Sequence, residues 1–203
     1  MGIDFSKLPL TGLPKESIWK NADKLRQDFW GDMIPVDVDI IVERGLGIEL
    51  IPIPDLKQFA GTEAFLSGDL QEIDYDPSAL DVRIRFSIAH EIGHYVLHKA
   101  VISKLRTVTF EEWKEMQFAM PIWFWGKAEW QAREFAGRLL VPRERLLKEI
   151  HSLHGNIEEA KHSLPDLTQE IIVEYITPTL GKTFKVSADV ISRRISSEEI
   201  KLL

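Results

Sequence analysis

The chain of 203 residues contains no cysteine. This absence excludes disulfide bonds, thiolate zinc sites and a cysteine nucleophile, so any bound metal must be held by His, Asp or Glu. Long apolar runs are also lacking, since residues 1–10 do not form a secretory signal and nothing later matches the ~20 apolar residues of a membrane span. We therefore expect a cytoplasmic protein that has no membrane partner.

Basic residues are in the minority, with 25 Lys and Arg against 32 Asp and Glu and a formal net charge of -7. Neutralising phosphates requires a basic face, so we do not expect DNA to be the main partner and favour a protein instead. The C-terminus is locally basic around a segment, starting at Phe184, that is typical of a helix-turn-helix recognition helix. Its basic residues are Lys182, Lys185, Arg193 and Arg194. This segment either contacts DNA or, in the interpretation that we favour, is a packing helix or a partner surface.

The hydrophobic pattern predicts an α+β chain that is mainly helical. An amphipathic helix is expected between Pro14 and Gly31, with Ile18, Ala22, Leu25 and Phe29 on its buried face. A shorter helix is expected over residues 37–44. Three short β-like runs follow at residues 48–53, 64–67 and 70–75, and Gly68-Asp69 marks a hairpin between the last two.

Helices then dominate the rest of the chain. They are expected over residues 81–99 and 127–140, with shorter ones after residue 142 that are broken at Gly155, Pro165 and Gly181. We predict one small three-stranded sheet before the first of these helices, and two parts: residues 1–150 as the core domain and residues 151–203 as a helical part packed on it.

The connection from Phe110 to Trp130 is unusually aromatic. Clustered aromatic side chains outside regular elements are typical of binding surfaces, so this stretch could form a lid or groove for an extended substrate. Large rings also dominate burial in protein cores, and the alternative is that several of them fill the core behind the site. The sequence leaves both interpretations open.

Three of the six histidines fall within nine residues: His90, His94 and His98. The first two belong to the pattern HExxH inside a predicted helix, where positions i and i+4 share one face about 6 Å apart and can grip one metal ion. Glu91 lies about 60° round the helix from His94, within reach of a water bound to that ion. Zinc lowers the pKa of such a water to about 7, and a carboxylate can then act as general base in amide hydrolysis.

A catalytic zinc site needs a third protein ligand and an open position. Glu129 is the favoured candidate, because Ala132 and Ala136 share its helix face and would let that helix approach the small residues Ala89 and Gly93. The alternative for Glu129 is a solvated acid near a helix N-terminus.

Two segments together resemble the ImmA/IrrE family of zinc metallopeptidases. They are RFSIAHEIGHYVLH at residues 85–98 and EWQAREFAGRLLVP at residues 129–142, and the likeness covers about residues 14–145. The resemblance implies a zincin-like core domain that binds Zn²⁺ through His90, His94 and Glu129, with Glu91 as catalytic base. It also implies a protein substrate, typically a helix-turn-helix repressor or an antitoxin-like regulator.

The chain departs from the family pattern at Arg133, where members commonly have Asn or Asp. Arg133 lies four residues after Glu129 on the same helix face, so it could pair with that carboxylate and compete with the metal, which makes Glu134 the second choice as ligand. His98 and Arg133 are also candidates to orient a ligand or to donate to a developing oxyanion, and the alternative for His98 is a histidine favoured by the helix C-terminus. The Arg133 departure and the basic C-terminus leave a second hypothesis, a non-proteolytic regulator that binds a repressor or DNA with a zincin scaffold.

Overall fold

The computed structural model describes residues 5–10, 12–105, 110–163 and 168–202. The expected helix break at Pro165 and the side chains of Phe110 and Trp113 lie outside the described residues. Within the described ranges the chain is mainly helical, with a small sheet ahead of the long histidine-bearing helix. The predicted α+β class is confirmed.

The elements follow one another along the chain as a 3₁₀ turn, ten α-helices, a π-helical turn and three strands within the described ranges. They are the 3₁₀ turn Phe5–Lys7, α1 (Lys15–Phe29), α2 (Val38–Ile40), the π-helical turn Ile41–Leu46, β1 (Glu49–Pro52), α3 (Leu56–Ala60), β2 (Ala64–Leu66), β3 (Glu72–Tyr75), α4 (Asp81–Leu105), α5 (Phe110–Ala119), α6 (Ile122–Leu140), α7 (Arg143–Ser152), α8 (His154–Ser163), α9 (Gln169–Phe184) and α10 (Ala188–Ser197). No described helix is long and apolar enough to cross a membrane.

The three strands form one mixed sheet in the order β1-β3-β2. β1 runs parallel to the central strand β3, and β2 pairs with it antiparallel, with Leu66 opposite Ile73. Helix α4 packs against β2 and β3, and Ile73 is fully buried beneath it. The sheet therefore ends at β2, whose outer edge lies beside the histidine helix.

Several element boundaries differ from the sequence prediction. The helix expected over residues 37–44 is a short α-turn capped by Asp37, followed by a π-helical turn that ends at Gly47 in the left-handed conformation. Gly155 and Gly181 lie inside helices rather than breaking them. Phe29, expected on the buried face of α1, is 42% exposed and lies over Gly45.

Helices α4 and α6 approach each other unusually closely where glycine faces alanine. A Cβ atom at Gly93 would lie 3.0 Å from Ala132 O and 3.1 Å from Ala132 Cα. Ala89, Ala132 and Ala136 are all fully buried in this contact region. Small side chains thus allow the two backbones to meet, as the spacing of small residues in the sequence predicts.

A buried charge network joins α10 to the rest of the chain. The fully buried carboxylate of Glu198 accepts hydrogen bonds from Arg138 and Arg143, each at 2.6 Å, and from Arg194. Arg194 is 2% exposed, and its guanidinium also donates to Glu134 at 2.9 Å. One of the basic residues near the C-terminus therefore stabilises packing and is not available on the surface.

We expect Gly93→Val to lower the free energy of unfolding by about 1–3 kcal/mol, because overpacking must separate α4 from α6. Chemical denaturation of the purified chain measures the change. Gly126→Val on the exposed side of α6 is the matched control, since a Cβ there meets nothing within 4 Å, and we expect a change within about 0.5 kcal/mol. Equal effects at both positions would contradict the close packing.

We expect Glu198→Gln to cost about 3 kcal/mol at pH 7, because it leaves buried guanidinium groups short of negative charge. Burial tends to raise the pKa of Glu198, but hydrogen bonding by Arg143 and the charges of Arg194 and Arg138 outweigh it and hold the pKa below its ordinary 4.5. The stabilisation is therefore present above pH 4.5 and is lost as the pH falls through the lowered pKa of the folded state. Denaturation curves should show the variant and the wild type converging at low pH, whereas Glu199→Gln at the exposed neighbour should follow the wild type throughout.

Candidate functional site

The metal-ligand candidates on α4 lie one helical turn apart on the same face. His90 Nε2 and His94 Nε2 are 3.0 Å from each other, and the two rings meet edge to face. Both side chains are mostly buried, at 14% and 13% exposure. The i, i+4 spacing thus directs two imidazole nitrogens to one point.

Glu129 reaches the same point from α6. Its Oε1 lies 3.1 Å from His94 Nε2, and its Oε2 lies 3.4 Å from His90 Nε2. One potential ligand atom from each of the three residues lies within 4.8 Å of the other two. Two imidazoles and one carboxylate are a donor set that zinc accepts, so the residues present fit a Zn²⁺ ion with an open position left for substrate.

The electrostatics of this cluster favour a cation at its centre. Burial alone would lower the pKa of His94, but the hydrogen bond and charge of Glu129 raise it above its ordinary value. Burial would raise the pKa of Glu129, yet hydrogen bonds from His90 and His94 lower it. Two imidazoles beside a carboxylate whose ionised form is favoured are an arrangement that suits a divalent ion.

Glu91 lines the same cavity as the three candidate ligands and contacts the edge strand. Its Oε2 accepts a hydrogen bond of 3.1 Å from the backbone N–H of Leu66 in β2. Burial raises the pKa of Glu91, and the neighbouring His94 and His90 partly offset this effect. A carboxylate held at the sheet edge with a raised pKa is suited to taking up and returning a proton.

His98 lies behind the candidate ligands, one turn beyond His94. Its Nδ1 is 3.0 Å from His94 Nδ1, and its Nε2 is 2.9 Å from Gln131 Oε1. Burial, together with the neighbouring His94, lowers the pKa of His98 to about 4. His98 therefore contacts the back of a candidate ligand, which is the geometry of an orienting group.

Gln131 is a site residue that the sequence interpretation missed. It is 1% exposed and lies on a face of α6 among the buried apolar side chains of Phe124, Ala128 and Phe135. A polar residue next to buried apolar positions is the signal that could have identified it, because such a group requires a hydrogen-bond partner.

The remaining two candidates occupy different environments. Arg133 Nη2 lies 3.4 Å from Glu129 Oε2, but the arginine side chain is 66% exposed. Glu134 faces away from the histidines, and its Oε1 accepts hydrogen bonds from Trp19, Arg194 and Ser197. The structure thus brings Glu129 to the histidines and engages Glu134 in the packing of α1 and α10.

A cavity of about 430 Å³ opens over the candidate site. Ala64 and Leu66 of the edge strand β2 line it on one side, and Val101, Ile102 and Phe124 form an apolar wall beyond His98. The polar residues of the candidate site therefore lie between the edge strand β2 and this apolar wall.

The aromatic stretch, expected from the sequence to be a connection, lies mostly in helices α5 and α6 and contributes to this cavity only in part. Phe124 is 2% exposed and lines the cavity together with Trp125. In the described part of the stretch, Phe118, Trp123 and Trp130 are 83%, 59% and 44% exposed. Some of these rings therefore form a wall of the site, while others face outward.

Comparisons with known proteins agree with this architecture. Among solved structures, the chain is similar to a Mycobacterium tuberculosis transcriptional regulator, with a TM-score of 0.54, 13% sequence identity, and coverage of 89% of this chain and 46% of that one. The chain thus spans less than half the length of that protein, and at this identity the similarity concerns the fold alone. No curated protein matches the sequence.

The family comparison covers more than half of the chain. The model of the IrrE N-terminal-like domain matches residues 55–196, from the residue before α3 to the last turn of α10. The match includes the histidine helix and Glu129, and it continues past residue 150 into the C-terminal helices. The chain therefore belongs to the ImmA/IrrE family, whose members share the IrrE N-terminal-like domain.

Proposed function

We propose that the protein is a zinc-dependent endopeptidase that hydrolyses a peptide bond in a protein substrate. The observation that carries this proposal is the convergence of one ligand atom each from His90, His94 and Glu129, with Glu91 beside them at the strand edge. These three residues would hold the ion, and the open side of the cluster faces the cavity.

The chemistry divides between the ion and the chain. When bound, zinc supplies a Lewis acid that polarises the substrate carbonyl and acidifies water. Glu91 accepts a proton at its carboxylate and returns it to the leaving nitrogen, a double role that its raised pKa favours. The Leu66 N–H holds the Glu91 carboxylate in place, so the base does not depend on a flexible side chain alone.

The edge strand supports an extended substrate. At the two ends of β2, Ser67 N donates to Glu72 O and Asp76 N donates to Glu63 O. The backbone N–H and C=O groups of the odd-numbered residues therefore point toward β3. The backbone groups of Ala64 and Leu66 consequently point the other way, where the Leu66 N–H donates to Glu91 and the Ala64 carbonyl accepts from Thr62. A substrate segment in extended conformation could add to this edge through the Ala64 N–H and the Leu66 carbonyl, as peptides do in β-augmentation.

The family resemblance supports a particular class of substrate. We propose that the substrate is a helix-turn-helix repressor or an antitoxin-like regulator. It would be cut in an exposed extended segment that can reach both β2 and the apolar wall of the cavity. DNA is the less favoured partner, because Arg194 is buried and Arg193 pairs with Asp189 at 2.8 Å.

A second candidate function is regulation without proteolysis, through binding of a repressor by the same scaffold. The contact between Arg133 and Glu129 favours it, since a guanidinium beside a candidate ligand competes with a metal ion for the carboxylate. Zinc content of the purified chain separates the two candidates: less than about half a zinc per chain after incubation with zinc favours the second, because a three-ligand site fills readily.

We expect Glu91→Gln to retain zinc and to reduce cleavage by at least about 10²-fold, because the amide cannot accept the proton. The measurements are zinc content by mass spectrometry and cleavage of purified helix-turn-helix regulators, followed by electrophoresis. His90→Ala is the companion variant, and it should lose both zinc and cleavage. Normal cleavage by Glu91→Gln would show that Glu91 is not the general base.

We expect Arg133→Ala to tighten zinc binding by no more than about fivefold, because an exposed ion pair contributes at most about 1 kcal/mol. Competition with a chromogenic chelator measures the affinity. Arg193→Ala removes a similar i, i+4 pair at a distance from the site and should leave the affinity unchanged. A gain of 100-fold or more in Arg133→Ala would show that the arginine holds Glu129 away from the metal.

A further inference from the structure

Three buried side chains form a line that leads away from the candidate metal site. His94 Nδ1 is 3.0 Å from His98 Nδ1, and His98 Nε2 is 2.9 Å from Gln131 Oε1. His98 and Gln131 are 3% and 1% exposed, so the contact between them is almost completely shielded from solvent. Each hydrogen bond in the line therefore constrains the next.

The metal side of His94 sets the first requirement. Its Nε2 faces His90 and Glu129, so this nitrogen must offer a lone pair if His94 binds a metal. A neutral imidazole has one N–H, which must then be at Nδ1. The Nδ1–H of His94 can only donate to an unprotonated Nδ1 of His98.

The proton position of His98 depends in turn on a residue of α6. With Nδ1 acting as acceptor, the proton of His98 is at Nε2, and it requires an acceptor of its own. Gln131 Oε1 meets that need at 2.9 Å. The opposite amide orientation would present an NH₂ group, move the His98 proton to Nδ1 and leave His94 with its N–H pointing at the metal position.

We propose that Gln131 is a positioning residue whose carbonyl fixes the tautomers of His98 and His94, so that His94 presents the Nε2 lone pair to the metal. This inference rests on the proposed metal site but not on peptidase activity. Hydrogen-bonding partners behind a ligand typically change metal affinity 10–100-fold, so the effect is measurable. Burial strengthens it, because no solvent molecule replaces a missing partner.

The test uses the full chain labelled with ¹⁵N, with and without Zn²⁺, and long-range ¹H–¹⁵N spectra that report which ring nitrogen carries the proton. We expect His98 to carry its proton at Nε2 in both forms, and zinc-bound His94 to carry its proton at Nδ1. A proton at His98 Nδ1 in the wild type would overturn the proposal without any variant.

Two variants at Gln131 separate positioning from packing. Gln131→Met fills a similar volume without an acceptor, and we expect zinc to bind about 10–100-fold more weakly with the His98 tautomer no longer fixed. Gln131→Glu keeps an acceptor, and we expect the wild-type tautomer and an affinity within about threefold. Thermal unfolding checks that both variants fold. An unchanged tautomer and affinity in a folded Gln131→Met would also overturn the proposal.

A failure of the proposed peptidase function can be distinguished from a failure of the positioning role of Gln131. Wild-type protein that shows the expected tautomers and zinc affinity but cuts no substrate would contradict the peptidase and leave the positioning role intact. If zinc does not bind, the proposed function fails on that ground, while the His98 tautomer in the metal-free chain still decides whether Gln131 sets the proton positions.

Discussion

The close contact of α4 with α6 at Gly93 and Ala132 is the constraint on which the site depends. A side chain at position 93 would press against the α6 backbone at 3.0 Å. Because the two backbones meet there, Glu129 on α6 lies within hydrogen-bond distance of a histidine on α4. The same approach brings Gln131 to His98 on the far side of the ligands. One packing contact therefore positions both the candidate third ligand and the group behind it.

Two acidic residues on one helix illustrate how packing divides roles. Glu129 and Glu134 are five residues apart on α6, and both carboxylates accept charged or polar partners. Glu129 faces the histidines, whereas Glu134 faces Trp19 and Arg194 and contributes to the attachment of α1 and α10. Their spacing directs them to different sides of the helix, so that one acid meets the histidines while the other contacts α1 and α10.

Much of the fold could be predicted because it follows from local rules. The period of apolar residues indicates α1, α4 and α6, and Gly68-Asp69 indicates the hairpin between β2 and β3. Predictions based on single glycines were less accurate: Gly181 lies inside α9, and its missing side chain leaves room for the backbone at Val186 in the turn that follows the helix. A glycine can thus serve close backbone packing inside a helix as well as a helix end, and the local pattern does not distinguish the two.

The sequence by itself determined that any metal ligands are His, Asp or Glu and that His90 and His94 share a helix face. The absence of cysteine and the helical period of 3.6 residues are sufficient for these conclusions. Only the tertiary structure decided which acid meets the histidines, that Leu66 holds Glu91, and that Gln131 lies behind His98. These contacts join residues 25 to 35 positions apart, and their geometry depends on how helices and sheet cross, which no local periodicity encodes.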